Sequence, residues 1–167
     1  SCRSGPRYGT GTSTTDSSLN NGQLYYYRAW AYSSSSDQYS TGSTSDSEYT
    51  LPETPSNLNA ETPTTNSISL SWSKGTGGEY TMIRRNTGSY PTSPTSGTQA
   101  YYGTETSTTD SGLPPGTYYY RAWAHDSESN YYSSEYSQDY ETITQPINSP
   151  PTFGTPSPAN LSTNNPI

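Results

Sequence analysis

Short stretches of the chain alternate between hydrophobic and polar residues with a period of two. Ile68, Leu70 and Trp72 alternate with serines in residues 66–72, so one face of an extended strand is apolar. Residues 79–85, 100–102, 105–109, 118–125 and 136–144 are further β-prone stretches separated by turn residues. Helical periodicity is absent. The pattern predicts an all-β protein.

An internal repeat organises these strands. Residues 8–32 read YGTGTSTTDSSLNNGQLYYYRAWAY, and residues 102–125 read YGTETSTTDSGLPPGTYYYRAWAH. The second copy lacks one residue after the glycine at positions 22 and 116. A repeat of this length far exceeds the periods of helical repeats and fits one small β-sandwich of ~100 residues.

The repeat predicts three parts. Residues 1–50 would be the C-terminal half of one module, and residues 51–145 a complete module. Residues 146–167 would be a linker rich in Pro, Asn and Ser, or the first strand of a further module, and they hold the sequon at Asn160. A half sandwich buries little area. We therefore expect residues 1–50 alone to expose Leu19, Tyr25 and Tyr27, with poor order or intermolecular pairing.

Composition leaves disorder of the central segment as an alternative. Only 26% of the residues are hydrophobic, and valine is absent. Such chains often stay disordered. However, the net charge is only -7, and 18 tyrosines can fill a core in place of aliphatic residues. The Ser, Thr, Tyr, Asn and Gly content is typical of extracellular surface proteins, so we expect a secreted or cell-surface location.

The complete module resembles a fibronectin type III domain, a seven-stranded, immunoglobulin-like β-sandwich. The residues that carry the resemblance are Pro55-Ser56-Asn57-Leu58, Ile68-x-Leu70-x-Trp72, Tyr80-x-Met82 and Leu113-Pro114-Pro115-Gly116-Thr117-Tyr118. The last of these implies a tyrosine corner, in which a Tyr hydroxyl bonds to upstream backbone. We assign this role to Tyr118, with Tyr119 as the alternative, and to Tyr25 in the half module. The resemblance and the alternation together predict a core of Leu58, Ile68, Leu70, Trp72, Tyr80, Met82, Leu113, Tyr118 and Tyr120.

Alternation along residues 118–125 gives the sharpest candidate site. If Tyr118, Tyr120, Ala122 and Ala124 point inward, Tyr119, Arg121, Trp123 and His125 point outward. The half module repeats this outward stripe with Tyr26, Arg28, Trp30 and Tyr32. Exposed aromatic rings with an adjacent arginine could contact a glycan or a protein partner. The alternative is mutual packing, in which arginine stacks on aromatic rings across strands.

Other candidate sites have weaker support. The acidic residues Asp126, Glu128, Glu135, Asp139 and Glu141 lack the spacing of a calcium loop, so we expect no metal and no cofactor. No motif places the single histidine, His125, in a catalytic pair with Cys2 or in a Ser–His–Asp triad. Residues 75–78 lack the glycine–lysine order of a phosphate loop and predict a hairpin loop.

These features predict a non-catalytic module. We expect a structural spacer or adhesion repeat of a large secreted or cell-surface protein, whose partners are neighbouring modules. The alternative is a carbohydrate-binding accessory module that contacts polysaccharide or another surface protein, in a parent chain that could include a glycan-degrading enzyme. The acidic balance argues against nucleic-acid binding, and no apolar stretch is long enough to insert in a membrane.

Overall fold

The computed structural model describes residues 9–145, which form strands and no helix. Residues 1–8, which include Cys2, and the tail 146–167, which includes the sequon, lie outside the described residues. Within the described range no helix could therefore span a membrane. The strands are β1 (Leu24–Ala29), β2 (Tyr32–Ser33), β3 (Gln38–Tyr39), β4 (Thr44–Tyr49), β5 (Ser56–Thr64), β6 (Ser67–Ser73), β7 (Tyr80–Thr87), β8 (Thr98–Gly103), β9 (Ser107–Ser111), β10 (Gly116–Asp126), β11 (Tyr131–Tyr132) and β12 (Ser137–Ile143).

Strands β5 to β12 form a sandwich of two antiparallel sheets. One sheet has the order β5-β6-β9. In the other, β7 lies between β8 and β10, while β11 and β12 both pair with the far edge of β10. Because β11 and β12 occupy the same edge, they act as one interrupted strand. The sandwich therefore has the predicted seven strand positions.

The core lies between the two sheets and combines leucine and isoleucine residues with two tyrosines. Ile68 and Tyr120 are completely buried, and Leu70 is 1% exposed. A buried aromatic side chain removes ~150–250 Å² from water, which corresponds to about 4–6 kcal/mol of gross hydrophobic free energy. The core cluster contains Leu58, Ala60, Ile68, Leu70, Trp72, Ile83, Leu113, Tyr118, Tyr120, Ala122 and Ile143.

Each core tyrosine has a partner for its hydroxyl group. Tyr118 donates to the carbonyl oxygen of Pro114 at 2.7 Å, four residues upstream. This is the geometry of a tyrosine corner, and it identifies Tyr118 rather than Tyr119 as the corner residue. Tyr120 donates to Asp110 at 3.1 Å, and Asp110 also accepts from Arg85 at 2.6 Å. These bonds offset the cost of burying the hydroxyl groups.

The predicted core face of β7 is wrong. Ile83, which pairs with Ala122, lies in the core, whereas Met82 pairs with Trp123 and Tyr80 pairs with His125. Tyr80 and Met82 therefore lie on the outer face of the sheet. Both faces of β7 carry large side chains, so hydrophobicity alone does not distinguish them. Met82 is buried on that outer face.

The preceding half module forms a two-stranded ribbon. Strand β1 pairs with β4 along its whole length, and β2 pairs with β3 in a short hairpin. The Tyr25 hydroxyl accepts a hydrogen bond from the Asn20 amide at 2.9 Å, so it also contacts upstream backbone, but as an acceptor rather than as the donor that Tyr118 is. Tyr27 is 41% exposed, and Leu19 and Tyr25 are half-buried. The expected poor order of residues 1–50 in isolation stays a prediction.

Candidate binding surfaces

The outer face of the larger sheet carries a layer of aromatic side chains. Strand β10 contributes Tyr119, Trp123 and His125 to it, because odd-numbered residues there alternate away from the core. Neighbouring rings are 4.4–6.4 Å apart between centroids and extend the layer across the sheet. The layer consists of Tyr80, Tyr90, Tyr102, Tyr119, Trp123, His125, Tyr132, Tyr136 and Tyr140.

Trp123 is buried in this aromatic layer, so the expectation that it meets solvent is wrong. Only 3% of Trp123 is exposed, and its ring meets Tyr136 edge-on at 5.8 Å. The sheet alternation is as predicted, but residues outside β10 cover the face. In the complete module, Trp123 therefore contributes packing rather than an open stacking surface.

Arg121 also packs within the aromatic layer. Its guanidinium carbon lies 3.8 Å from the centroid of Tyr136 and 5.2 Å from that of Tyr90. The same group donates to Gln138 and to the carbonyl oxygen of Pro91, each at 2.9 Å. These contacts correspond to the mutual-packing alternative. Cation–π contacts at such sites contribute ~0.5–2 kcal/mol.

His125 completes one end of the layer. One ring nitrogen lies 2.8 Å from the Tyr102 hydroxyl and the other 3.2 Å from the side-chain oxygen of Asn130. Neither partner is the serine or aspartate of a hydrolytic triad, and Cys2 lies outside the described residues. Burial raises the pKa of the Tyr102 hydroxyl above its ordinary value of 10.0.

The ribbon carries the same stripe, but there the side chains are exposed to solvent. Tyr26 is 79% exposed and Trp30 50% exposed, and Arg28 lies 5.8 Å from the Trp30 ring. In the complete module the loop that holds Tyr90 and Pro91 contacts the equivalent Tyr119 and Arg121, and Tyr136 packs against the equivalent Trp123. No such loop covers the ribbon among the described residues. A shallow groove of about 460 Å³ runs along it between Tyr26, Tyr27, Arg28, Ser45, Asp46 and Ser47.

The acidic residues do not converge. Asp126 accepts bonds from the Glu128 amide and the Ser129 hydroxyl, whereas Asp139 accepts from the Ala60 amide of β5. No group of three or more His, Cys, Asp or Glu side chains in residues 9–145 could hold a metal ion. The carboxylates of Asp126, Asp139 and Glu141 instead bond to backbone amides or a hydroxyl group.

Residues Gly75–Gly78, called the glycine loop below, contact the linker between the modules. The Glu53 amide donates to the Thr76 carbonyl at 2.8 Å. The Thr76 amide and hydroxyl in turn donate to the Glu53 carboxylate at 3.2 and 2.8 Å. These bonds lower the pKa of Glu53, because they stabilise its charged form. The prediction of a hairpin loop is wrong, because β6 and β7 lie in different sheets and the glycine loop crosses from one sheet to the other. The sequence also did not indicate the contact of this loop with residue 53.

Strand order and the tyrosine corner together decide the fold. The resemblance implied a seven-stranded sandwich with a tyrosine corner, and the structure has a three-stranded sheet facing a four-position sheet with the corner tyrosine at the start of β10. The complete module has the fibronectin type III fold. Solved structures of fibronectin type III domains are among those that resemble the chain.

Three of these solved structures illustrate the likeness. Domains d3–d4 of the rat CD45 extracellular region match with a TM-score of 0.50 at 11% identity, over 85% of this chain and 75% of that one. The FN3tt crystal structure matches with a TM-score of 0.44 at 17% identity, over 55% of this chain and 92% of that one. A third match is the fibronectin type-III domain of human fibronectin type III domain containing protein 3. Its TM-score is 0.42 at 20% identity, over 59% of this chain and 94% of that one. No family model and no curated protein matches the sequence.

Sequence reasoning missed the residues that cover the outer face. Tyr90 and Pro91 lie in the loop between β7 and β8, and no periodic pattern connects a loop residue to a strand. Tyr136 and Tyr140 were detectable, because they and Gln138 are spaced two residues apart at the last strand and so share one face. Pairing of Tyr140 with Tyr119 and of Gln138 with Arg121 makes this the face of the aromatic layer.

Proposed function

We propose that the chain is a structural spacer or adhesion segment of a large secreted or cell-surface protein. The observation that carries this proposal is the packed aromatic layer. The stripe that could have bound a ligand in the complete module is occupied by the module's own side chains. A fibronectin type III sandwich with such a face maintains a distance and presents loops, and its partners are adjacent modules. The proposal includes no catalytic role.

An extracellular location is part of this proposal. The chain is rich in Ser, Thr and Tyr, contains one lysine, and has a net charge of -7. Such a hydroxyl-rich, acidic surface stays soluble without forming a basic patch for nucleic acids. One solved structure that resembles the chain is itself an extracellular region.

The second candidate is a carbohydrate-binding accessory module. The exposed rings of Tyr26 and Trp30 beside Arg28 favour it, since flat aromatic rings can stack on sugars. This function would reside in the ribbon, because the equivalent tryptophan of the complete module is buried. The parent protein could then include a glycan-degrading enzyme.

Polysaccharide binding separates the two candidates. The full 167-residue chain should pass unretained through columns of insoluble polysaccharide and give no signal with soluble glycans. Retention that disappears in Tyr26→Ala and Trp30→Ala would favour the second candidate and contradict the first. Tyr140→Ala is the matched control, because Tyr140 is 56% exposed on the other module. Sequence on both sides of the segment should show further copies of the repeat.

A further inference from the structure

The half module and the complete module meet through two glycines. Gly22, in the turn before β1, and Gly77, in the glycine loop, both have positive φ, at 60° and 75°. A Cβ atom on Gly22 would overlap the backbone of Gly77, and one on Gly77 would overlap the backbone of Asn21 and Gly22. Any side chain at either position would push the two backbones apart.

The linker is anchored on both sides of this contact. On the half-module side, Thr50 donates its hydroxyl to the Asn20 carbonyl at 2.6 Å, and the Gly22 amide donates to the Leu51 carbonyl at 3.2 Å. On the other side, Glu53 holds the glycine loop through Thr76. Only Pro52 separates the anchored residues, and it is buried. A proline between two anchors leaves little backbone freedom.

Thr76 connects the linker with the preceding unit. Its hydroxyl donates to Glu53 and accepts a hydrogen bond from the Asn21 side-chain amide at 3.3 Å. Gly75 is buried beneath the linker, where a Cβ atom would overlap the Glu53 carbonyl. The glycine loop thus has glycine at the two positions, 75 and 77, where backbone of the linker or of the turn leaves no room for a Cβ atom.

A second contact lies away from the glycine loop. The Tyr131 hydroxyl donates to the Glu48 carboxylate at 2.9 Å, joining β11 of the complete module to β4 of the ribbon. One contact would allow the two units to rotate about it. A second, separated contact restricts that rotation.

We propose that the glycine loop is a docking surface for the preceding module and fixes the angle between successive modules. The partner is the upstream repeat unit, which presents its Asn21–Gly22 turn and the linker that follows. This inference rests on the proposed spacer function and deepens it, because a rigid junction converts a chain of modules into a rod of defined shape. The glycines are required for close backbone approach rather than for phosphate binding.

Double electron–electron resonance, which measures the distance between two spin labels, tests the junction in the full chain. Spin labels are attached to Ser36→Cys in the ribbon and Ser89→Cys in the complete module, with Cys2→Ser to prevent labelling there; both label positions are exposed. We expect a narrow distance distribution. Gly77→Ala should broaden it at least twofold. Gly112→Ala is the matched control, because Gly112 has a similar φ of 73° but open space around it, and should leave the width unchanged.

A second variant covers the case in which Gly77→Ala does not fold. Thr76→Ala removes the hydroxyl shared by Glu53 and Asn21 without backbone strain, and it should also broaden the distribution. The rigid junction would be overturned by a broad distance distribution in the labelled chain without a junction substitution. Unchanged widths in folded Gly77→Ala and in Thr76→Ala would overturn it as well. That result would still be compatible with a flexible spacer function. Retention on polysaccharide, by contrast, would contradict the spacer function without contradicting the rigid junction.

Discussion

Tyrosine takes two roles in this protein that are usually divided among several residue types. The rings of Tyr118 and Tyr120 fill the core, while their hydroxyl groups reach Pro114 and Asp110 at its border. An aliphatic residue would supply the burial without the hydrogen bond. A chain without valine can therefore form a specific sandwich, because each tyrosine adds a directional contact to the apolar area that it buries.

The tyrosine corner makes a first prediction. Tyr118→Phe removes the hydroxyl that bonds to the Pro114 carbonyl and should lower the free energy of unfolding by about 1 kcal/mol. Tyr119→Phe is the matched control, because the adjacent Tyr119 ring packs on Tyr90 and Tyr140 in the outer layer. It should change stability by less than about 0.5 kcal/mol. Urea unfolding followed by circular dichroism measures both, and equal effects would contradict the corner assignment.

Tyr120 makes the protein sensitive to alkaline pH. Burial, followed by the adjacent Asp110 carboxylate, raises the pKa of Tyr120 far above its ordinary value of 10.0. A raised pKa means that this stabilisation is complete below pH 10 and is lost as pH rises further, because only the unfolded chain releases the proton. Each pH unit above 10 should cost about 1.4 kcal/mol from this group.

Urea unfolding at pH 9, 10 and 11 measures this alkaline dependence. Other tyrosines contribute a background, so the slope rather than the absolute stability is compared. Tyr120→Phe should be less stable at pH 9 yet lose stability more slowly above pH 10. A variant slope equal to that of the parent would show that Tyr120 titrates normally in the folded state.

At the level of elements, two strands with nearly the same sequence have different environments. Both β1 and β10 contain the sequence Tyr-Tyr-Tyr-Arg-Ala, followed by Trp. Strand β10 is paired on both edges and covered on both faces, whereas β1 is paired only with β4 among the described residues. Burial of an identical side chain is therefore set by strands and loops distant in sequence.

The tryptophans of this motif make the contrast measurable. Trp123→Ala should lower the free energy of unfolding of the complete module by about 3–5 kcal/mol, because a buried aromatic ring is lost from a packed layer. Trp30→Ala, at the equivalent position of the ribbon, should change stability by less than about 0.5 kcal/mol, since half of that ring is exposed. Urea unfolding of the full chain compares them. Similar costs would mean that the ribbon is also covered in solution.

Sequence predicts the strands better than it predicts their surroundings. Alternation in residues 66–72 correctly placed Ile68, Leu70 and Trp72 in the core, because only one face of β6 is apolar. In β7 the same reasoning selected the wrong face. The sheet around β7 is covered on both sides, and Arg85 points inward to pair with Asp110. A period of two cannot distinguish a core face from an outer face that is itself packed.

Contacts between distant segments explain the remaining misses. The loop residue Tyr90 covers β10, and the linker residue Glu53 binds a loop more than twenty positions away. Neither contact follows from local propensity. The repeat identifies the two outward stripes as copies of one sequence. It could not predict that the two outward stripes would differ in exposure, because exposure depends on neighbours that only one copy has among the described residues.

At the scale of the whole molecule, the junction should respond to acid. Thr76 donates two hydrogen bonds to the Glu53 carboxylate, from its hydroxyl and its amide, and these lower the pKa of Glu53 below its ordinary value of 4.5. A lowered pKa means that the stabilisation is present above pH 4.5 and is lost as pH falls through the lower, folded-state value. Protonation of Glu53 weakens it as an acceptor, so the linker should release the glycine loop in acid.

Nuclear magnetic resonance of the full chain measures this directly, through the amide shift of Thr76 as a function of pH. We expect the shift to follow a single titration with its midpoint below 4.5, and the Glu53→Gln variant to lose that titration. Glu61→Gln is the charge-matched control, because Glu61 is exposed on β5 and accepts a bond from Asn59 rather than from the junction. It should leave the Thr76 titration unchanged. A midpoint at or above 4.5 in the parent would mean that Glu53 does not hold the glycine loop, and the rigid junction would lose its linker anchor.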